Sequence, residues 1–163
     1  MKSFEEMLAI VCGFLKCFAE KFPHKKVGSL ILQKMMFLFE QEKKWDLGFS
    51  LNHRGPFSEL VESILIRAQS AGNIGIYPYQ RSGHYIQLLK CPQEVSDEDK
   101  KLIEQLVEKY GRLCSDELVI LTTALFLKDR FEVESKSQLI DLISESRPQM
   151  ERAEIKKIIN LIE

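Results

Sequence analysis

The spacing of apolar residues outlines most of the elements of this chain. Phe4, Met7, Leu8, Val11, Phe14, Leu15, Phe18 and Phe22 recur at helical intervals. Ser3-Phe4-Glu5-Glu6 reads as a capping box in front of them, and Pro23 ends the run. A second helix is predicted over residues 27–43. Its centre, Met35-Met36-Phe37-Leu38-Phe39, is apolar on every side, which places it in the middle of a core. After Gly48, Phe49-Ser50-Leu51-Asn52-His53 alternates in the manner of a short strand. Gly55-Pro56 reads as the opening of a third helix, with proline in the first turn, where its missing donor costs nothing. The stripe of that helix is Phe57, Leu60, Val61, Ile64, Leu65, Ala68 and Ala71, and Gly72 stops it. Residues 74–79 and 84–89 flank the turn-like Gln80-Arg81-Ser82-Gly83 and predict one β-hairpin, with Pro78 marking an edge strand.

Beyond Pro92 the pattern is helical. Ser96-Asp97-Glu98-Asp99 begins a fourth helix with carboxylates matched to the helix dipole, and Leu102, Ile103, Leu106, Val107 and Tyr110 form its stripe. A fifth is predicted over residues 115–128, with Leu118, Leu121, Thr122, Leu125 and Phe126 inward. Ser135-Lys136-Ser137-Gln138 caps a short sixth, and a last helix is expected from about Pro148 with Ile155, Ile158, Ile159 and Ile162 inward. The expected fold class is mainly α (α+β). Residues 1–92 form a winged-helix-like helical part with one β-hairpin. Residues 93–163 form a helical C-terminal extension packed on it within one compact domain. A winged helix usually places its first strand after the first helix; here the strand follows the second.

Composition adds limits. With 163 residues, 45% hydrophobic and 29% charged, the chain has enough apolar material for a core and is not of disordered type. No apolar run approaches the roughly 20 residues that span a bilayer. Glu5, Glu6 and Lys16 do not fit a signal peptide, so a cytoplasmic location without membrane partners is expected. Residues 1–92 carry 12 Lys and Arg against 8 Asp and Glu, and residues 93–163 carry 11 against 16. The front is mildly basic and the rear acidic, well short of a strongly basic nucleic-acid-binding domain.

The candidate chemistry is sparse. Cys12, Cys17, Cys91 and Cys114 have no C-x-x-C spacing and read as reduced thiols packed as small hydrophobes. His24, His53 and His84 have no ligand spacing, so no metal site is expected. No G-x-S-x-G, G-x-G-x-x-G or phosphate-loop motif occurs, and no catalytic residue or cofactor is expected. Gln33 and Lys34 interrupt the apolar second helix. They read either as a polar pair reaching a partner, or as a buried glutamine bonded to backbone beside a lysine that snorkels to solvent. His53, Arg54, Gly55 and Pro56 form the most suggestive local feature. At a helix N-terminus they would hold an anion, with Arg54 adding a bidentate contact; otherwise Arg54 pairs with a nearby acid and Gly-Pro merely directs the chain into the helix.

Four segments carry a resemblance: Leu32-Gln33-Lys34-Met35-Met36-Phe37-Leu38, His53-Arg54-Gly55-Pro56-Phe57-Ser58-Glu59-Leu60, Gly72-Asn73-Ile74, and Asp116-Glu117-Leu118-Val119-Ile120-Leu121-Thr122-Thr123-Ala124. Over residues 27–128 the chain resembles the YwgA-like proteins of bacteria and archaea. More distantly it resembles the Panacea domain of antitoxins and the SocA proteolytic adaptor. Phe37 stands where Panacea proteins carry a tyrosine, and the Gly-Pro segment is closer to the YwgA-like form. The resemblance implies a domain that binds protein or nucleic acid and carries no established active site.

Two functions follow as expectations. The first is a non-enzymatic protein-interaction module, an adaptor or antitoxin-like regulator. Tyr77, Tyr79 and Tyr85 would frame its contact surface, and an apolar patch of several hundred Å2 would be exposed or covered in a homodimer. The second is a winged-helix-like DNA-binding regulator using Lys25, Lys26, Lys43, Lys44, Arg54, Arg67, Arg81 and His84, with Arg81 at the tip of the wing. Against the second, the helix that would read DNA begins with Glu59 and Glu62, which repel phosphate.

Overall fold

Serine hydroxyls start four of the helices. Ser3, Ser58, Ser96 and Ser135 each accept a bond from the backbone N–H three residues on, at 3.1–3.3 Å, satisfying one donor that a helix start leaves open. The computed structural model describes residues 2–81 and 83–162. Among the described residues the chain forms seven helices and two antiparallel hairpins. The helices are α1 (Phe4–Lys21), α2 (Ser29–Lys43), α3 (Glu59–Ser70), α4 (Asp97–Tyr110), α5 (Ser115–Arg130), α6 (Lys136–Ser146) and α7 (Arg152–Ile159). The strands are β1 (Ser50–Asn52), β2 (Gly55–Phe57), β3 (Ile74–Tyr79) and β4 (Gly83–Leu88). The fold class is mainly α with α+β character.

Contacts divide the chain into two units, 1–49 with 58–112 and 50–57 with 113–163. In the first, α2 packs against α1, α3, α4 and β4, and its residues 31–40 are all buried. An all-apolar helix centre has no other stable place. In the second, α5 packs against β2, α6 and α7 and is buried from Leu118 to Ala124. The buried Thr122 hydroxyl donates to the Leu118 carbonyl at 2.7 Å, the usual way a helix satisfies an inward threonine.

Three expectations are corrected. Gly55-Pro56 does not open a helix; it forms strand β2, paired with β1 through Leu51↔Pro56 and Asn52↔Gly55. The Asn52 side chain accepts from the Arg54 N–H at 2.8 Å, and Gly55 takes φ +88°, which suits glycine, so the chain turns back at His53-Arg54. The sheet content is therefore two hairpins, not one. The strand after α2 pairs with β2, so β3–β4 remains two-stranded. The last helix starts at Arg152, not near Pro148, because a turn closed by Met150 N–H to the Arg147 carbonyl precedes it.

Gln33 and Lys34 resolve differently. Gln33 is buried, and its amide clamps the backbone of Ser58: Nε2 donates to the carbonyl at 2.9 Å and Oε1 accepts from the N–H at 3.0 Å. The Ser58 hydroxyl donates to the Leu47 carbonyl at 2.6 Å, and the Glu40 carboxylate accepts from the Leu47 N–H at 2.6 Å. Lys34 does not snorkel. It is buried within the enclosed stretch 31–40 of α2.

Gln33→Met removes the clamp while keeping the volume, and leaves the buried Ser58 N–H unsatisfied, while the Ser58 carbonyl keeps the Glu62 N–H. The expected cost is about 1–3 kcal/mol, against about 1–2 for Ser58→Ala. Urea unfolding checks this; equal midpoints for Gln33→Met and the unsubstituted protein would remove the clamp from the account.

Candidate functional site

The β3–β4 hairpin has two unlike faces because side chains alternate along a strand. Ile74 and Ile86 point inward and are buried. Tyr77 pairs with Tyr85 across the strands, and Tyr79 follows two positions on from Tyr77. Their rings form one cluster: Tyr77 and Tyr85 lie 5.6 Å apart, tilted by 37°, and Tyr79 meets Tyr85 edge-on at 6.2 Å. Tyr77 and Tyr79 remain 37% and 40% exposed. Gly75 makes room for this arrangement, since a Cβ there would lie 2.6 Å from Cζ of Tyr77.

A second segment completes the face. The chain between α1 and α2 runs beside β4, where the Ile86 N–H donates to the Val27 carbonyl at 2.7 Å. Gly28 passes so close that a Cβ would sit 2.7 Å from the His84 carbonyl oxygen. This contact brings Lys26 over Tyr85, with Nζ 4.5 Å from the ring centroid, a cation–π pair. Lys26, His84 and Arg81 are exposed and Lys25 is half-buried. The turn at the hairpin tip includes Gln80 at φ +59°, while Ser82 lies outside the described residues.

The other sequence-predicted residues go elsewhere. Lys43 is engaged: Nζ lies 2.9 Å from the Asp99 carboxylate, 3.5 Å from that of Glu98 and 5.9 Å from the Trp45 ring centre. Lys44 is the left-handed C-cap of α2. Arg67 lies flat on Phe4, 3.8 Å from its ring centroid. His53, Arg54, Gly55 and Pro56 do not form an anion site at a helix N-terminus. They belong to the β1–β2 hairpin, Gly55 and Pro56 are buried, and the His53 carbonyl accepts from Arg147 at 2.6 Å. The start of α3 is capped by Ser58.

Spacing analysis missed one signal that marks this face. Residues 21–39 and 63–93 contain no Asp or Glu. The first stretch supplies Lys25 and Lys26, and the second supplies Arg81, His84 and all three tyrosines. The fold brings the two together at β4. Among the described residues, no group of three or more His, Cys, Asp or Glu converges in a form that could hold a metal, and no helix is long and apolar enough to cross a membrane. Compared with family models and with curated proteins, the chain matches none.

Two predictions follow from this geometry. Gly28→Ala forces a methyl against a backbone oxygen, so the α1–α2 segment must move off β4. Hydrogen exchange at the Ile86 amide should speed up, with a stability loss of about 1–3 kcal/mol; unchanged protection would mean the segment does not hold the hairpin. At Lys43, the Asp99 hydrogen bond holds the ammonium above the ordinary lysine value of 10.5. A raised lysine contributes stability in full below the unfolded value, and this is lost as pH climbs through the folded one. The difference between Lys43→Met and the unsubstituted protein should therefore be flat from about pH 7 to 9 and shrink above about 11. Chemical denaturation across that range reads it directly.

Proposed function

We propose that this chain is a non-enzymatic, cytoplasmic protein-interaction module, an adaptor or antitoxin-like regulator, and that it contacts its partner through the tyrosine face of β3–β4. The observation that carries the reading is the joining of three tyrosines with Lys26, and with Arg81 at the hairpin tip, on carboxylate-free stretches. Half-exposed tyrosines provide rigid contact area at low entropic cost, and cations at their rim favour an acidic protein segment. The second reading, duplex DNA, draws on Arg81 at the tip and Lys26 beside the tyrosines. It is disfavoured by the acidic first turn of α3, by Arg67 stacked on Phe4 and by Lys43 bound to Asp99.

The test compares immobilised protein with a Tyr77→Ser/Lys26→Ser variant of unchanged circular dichroism, in capture from nuclease-treated extract. Binding to random duplex DNA is measured alongside at about 50 and 200 mM salt. A protein retained by the unsubstituted chain and lost from the variant is the expected result. DNA binding that falls steeply with salt and weakens in Arg81→Ala would move the function to nucleic acid. Neither kind of binding would overturn the hairpin as a contact surface.

A further inference from the structure

Three of the four cysteines, far apart in sequence, line one hollow. It has a volume of about 160 Å3 and lies in the first unit, between α1, α4 and the segment after β4. Cys12 and Cys17 reach it from α1 and Cys91 from the segment after β4, with Lys16, Glu94 and Lys100 also on its wall. Cys12 is buried, whereas Cys91 is exposed. The Cys91 thiol donates to the Gln93 carbonyl at 2.9 Å. It faces the same hollow as the Cys12 thiol, close enough to act on its ionisation. The α1 side of the pair is fixed, because Gly13 packs so closely that a Cβ there would lie 2.7 Å from Ile103 Cδ1 on α4. The Cys91 side lies outside any helix or strand. One thiol on a packed helix facing another on a connecting segment is an arrangement in which a small backbone adjustment can bring the sulfurs into bonding geometry.

We propose that Cys91 and Cys12 form an oxidisable dithiol: a hydroperoxide entering the hollow oxidises Cys91, and Cys12 then closes a disulfide between α1 and the segment after β4. In the first step the Cys91 sulfur attacks a peroxide oxygen. The O–O bond breaks, Cys91 becomes a sulfenic acid, and the other oxygen leaves as water or an alcohol. In the second, the Cys12 sulfur attacks the Cys91 sulfur, the S–O bond breaks, and the departing hydroxide takes the Cys12 proton as water. Two thiols lose two electrons and the peroxide gains them. Burial, with Cys91 beside it, pushes the Cys12 thiol up to about 12. Cys12 is thus a poor first target, which leaves the exposed Cys91 to meet the oxidant. The proposal does not depend on the hairpin as a contact surface.

The test uses the full chain, treated with hydrogen peroxide under native conditions, quenched with an alkylating agent and read by mass spectrometry. The expected product takes up two alkyl groups where the reduced chain takes up four, its protein part being about 2 Da lighter, with a Cys12–Cys91 cross-linked peptide and Cys17 and Cys114 still alkylated. Cys91→Ser should abolish the product and Cys17→Ser should leave it intact. Cys12→Ala should arrest the reaction at a Cys91 sulfenic acid that dimedone traps. Should Cys12→Ala fail to fold, the cross-linked peptide from the unsubstituted protein decides alone. Sulfinic or sulfonic acid on Cys91 with Cys12 still alkylated would overturn the proposal. A Cys17–Cys91 bond, or dimers linked through Cys91 or Cys114, would overturn it equally.

Discussion

A neutral amide inside the buried α2 determines how the first unit is assembled. Gln33 spends both ends of its side chain on the backbone of Ser58, a residue 25 positions away. Ser58 in turn binds the Leu47 carbonyl and caps α3, while Glu40 holds the Leu47 N–H. Residues 50–57 belong to the second unit, so Leu47 and Ser58 flank the points where the chain leaves the first unit and returns to it. A buried polar group without a partner costs about 1–3 kcal/mol, and this network holds several. Its parts stand or fall together, which is why a glutamine persists where leucine would pack as well.

The tyrosine face has a similar logic, with backbone packing in place of a polar network. The cation–π attraction of Tyr85 does not by itself place Lys26. The Val27 carbonyl must first accept from Ile86, and that requires Gly28 to slide past the His84 carbonyl without a side chain. Gly75 does the same for Tyr77. Two glycines therefore shape a surface whose visible groups are aromatic and cationic.

Much of the fold was legible because it is local. Serine caps, most of the helical stripes and the β3–β4 hairpin follow from residues within a few positions of one another, whereas Leu60 and Ala71, read as inward on α3, are exposed and Phe57 lies in β2. The opening of α3 was misread because Gly-Pro satisfies two rules at once, first turn of a helix and edge of a ribbon. The deciding interactions, Asn52 with Arg54 and Gln33 with Ser58, lie outside that dipeptide. The site was less legible. The three tyrosines could be placed on a hairpin, but Lys26 reaches Tyr85 across 59 positions, and Cys12 and Cys91 are 79 apart. Pairings at that distance are set by how helices pack, which spacing rules do not encode. The absence of Asp and Glu from residues 21–39 and 63–93 is legible in the sequence, but that the two stretches meet at β4 is not.

Magnitudes decide which part of this face governs affinity. The two cations at its edge, Lys26 and Arg81, contribute about 0.2–1 kcal/mol apiece to an ion pair in water. The exposed parts of the tyrosines amount to roughly 200 Å2, worth up to about 5 kcal/mol at the usual 25 cal/mol per Å2 once covered. The apolar term exceeds the charged one, and only the charged one is screened by salt. A partner that engages this surface is therefore held mainly by its fit over Tyr77, Tyr79 and Tyr85. For such a partner Lys26 and Arg81 would govern approach and orientation. That division suits recognition of a protein segment better than of a phosphate backbone, where charge would have to supply most of the binding.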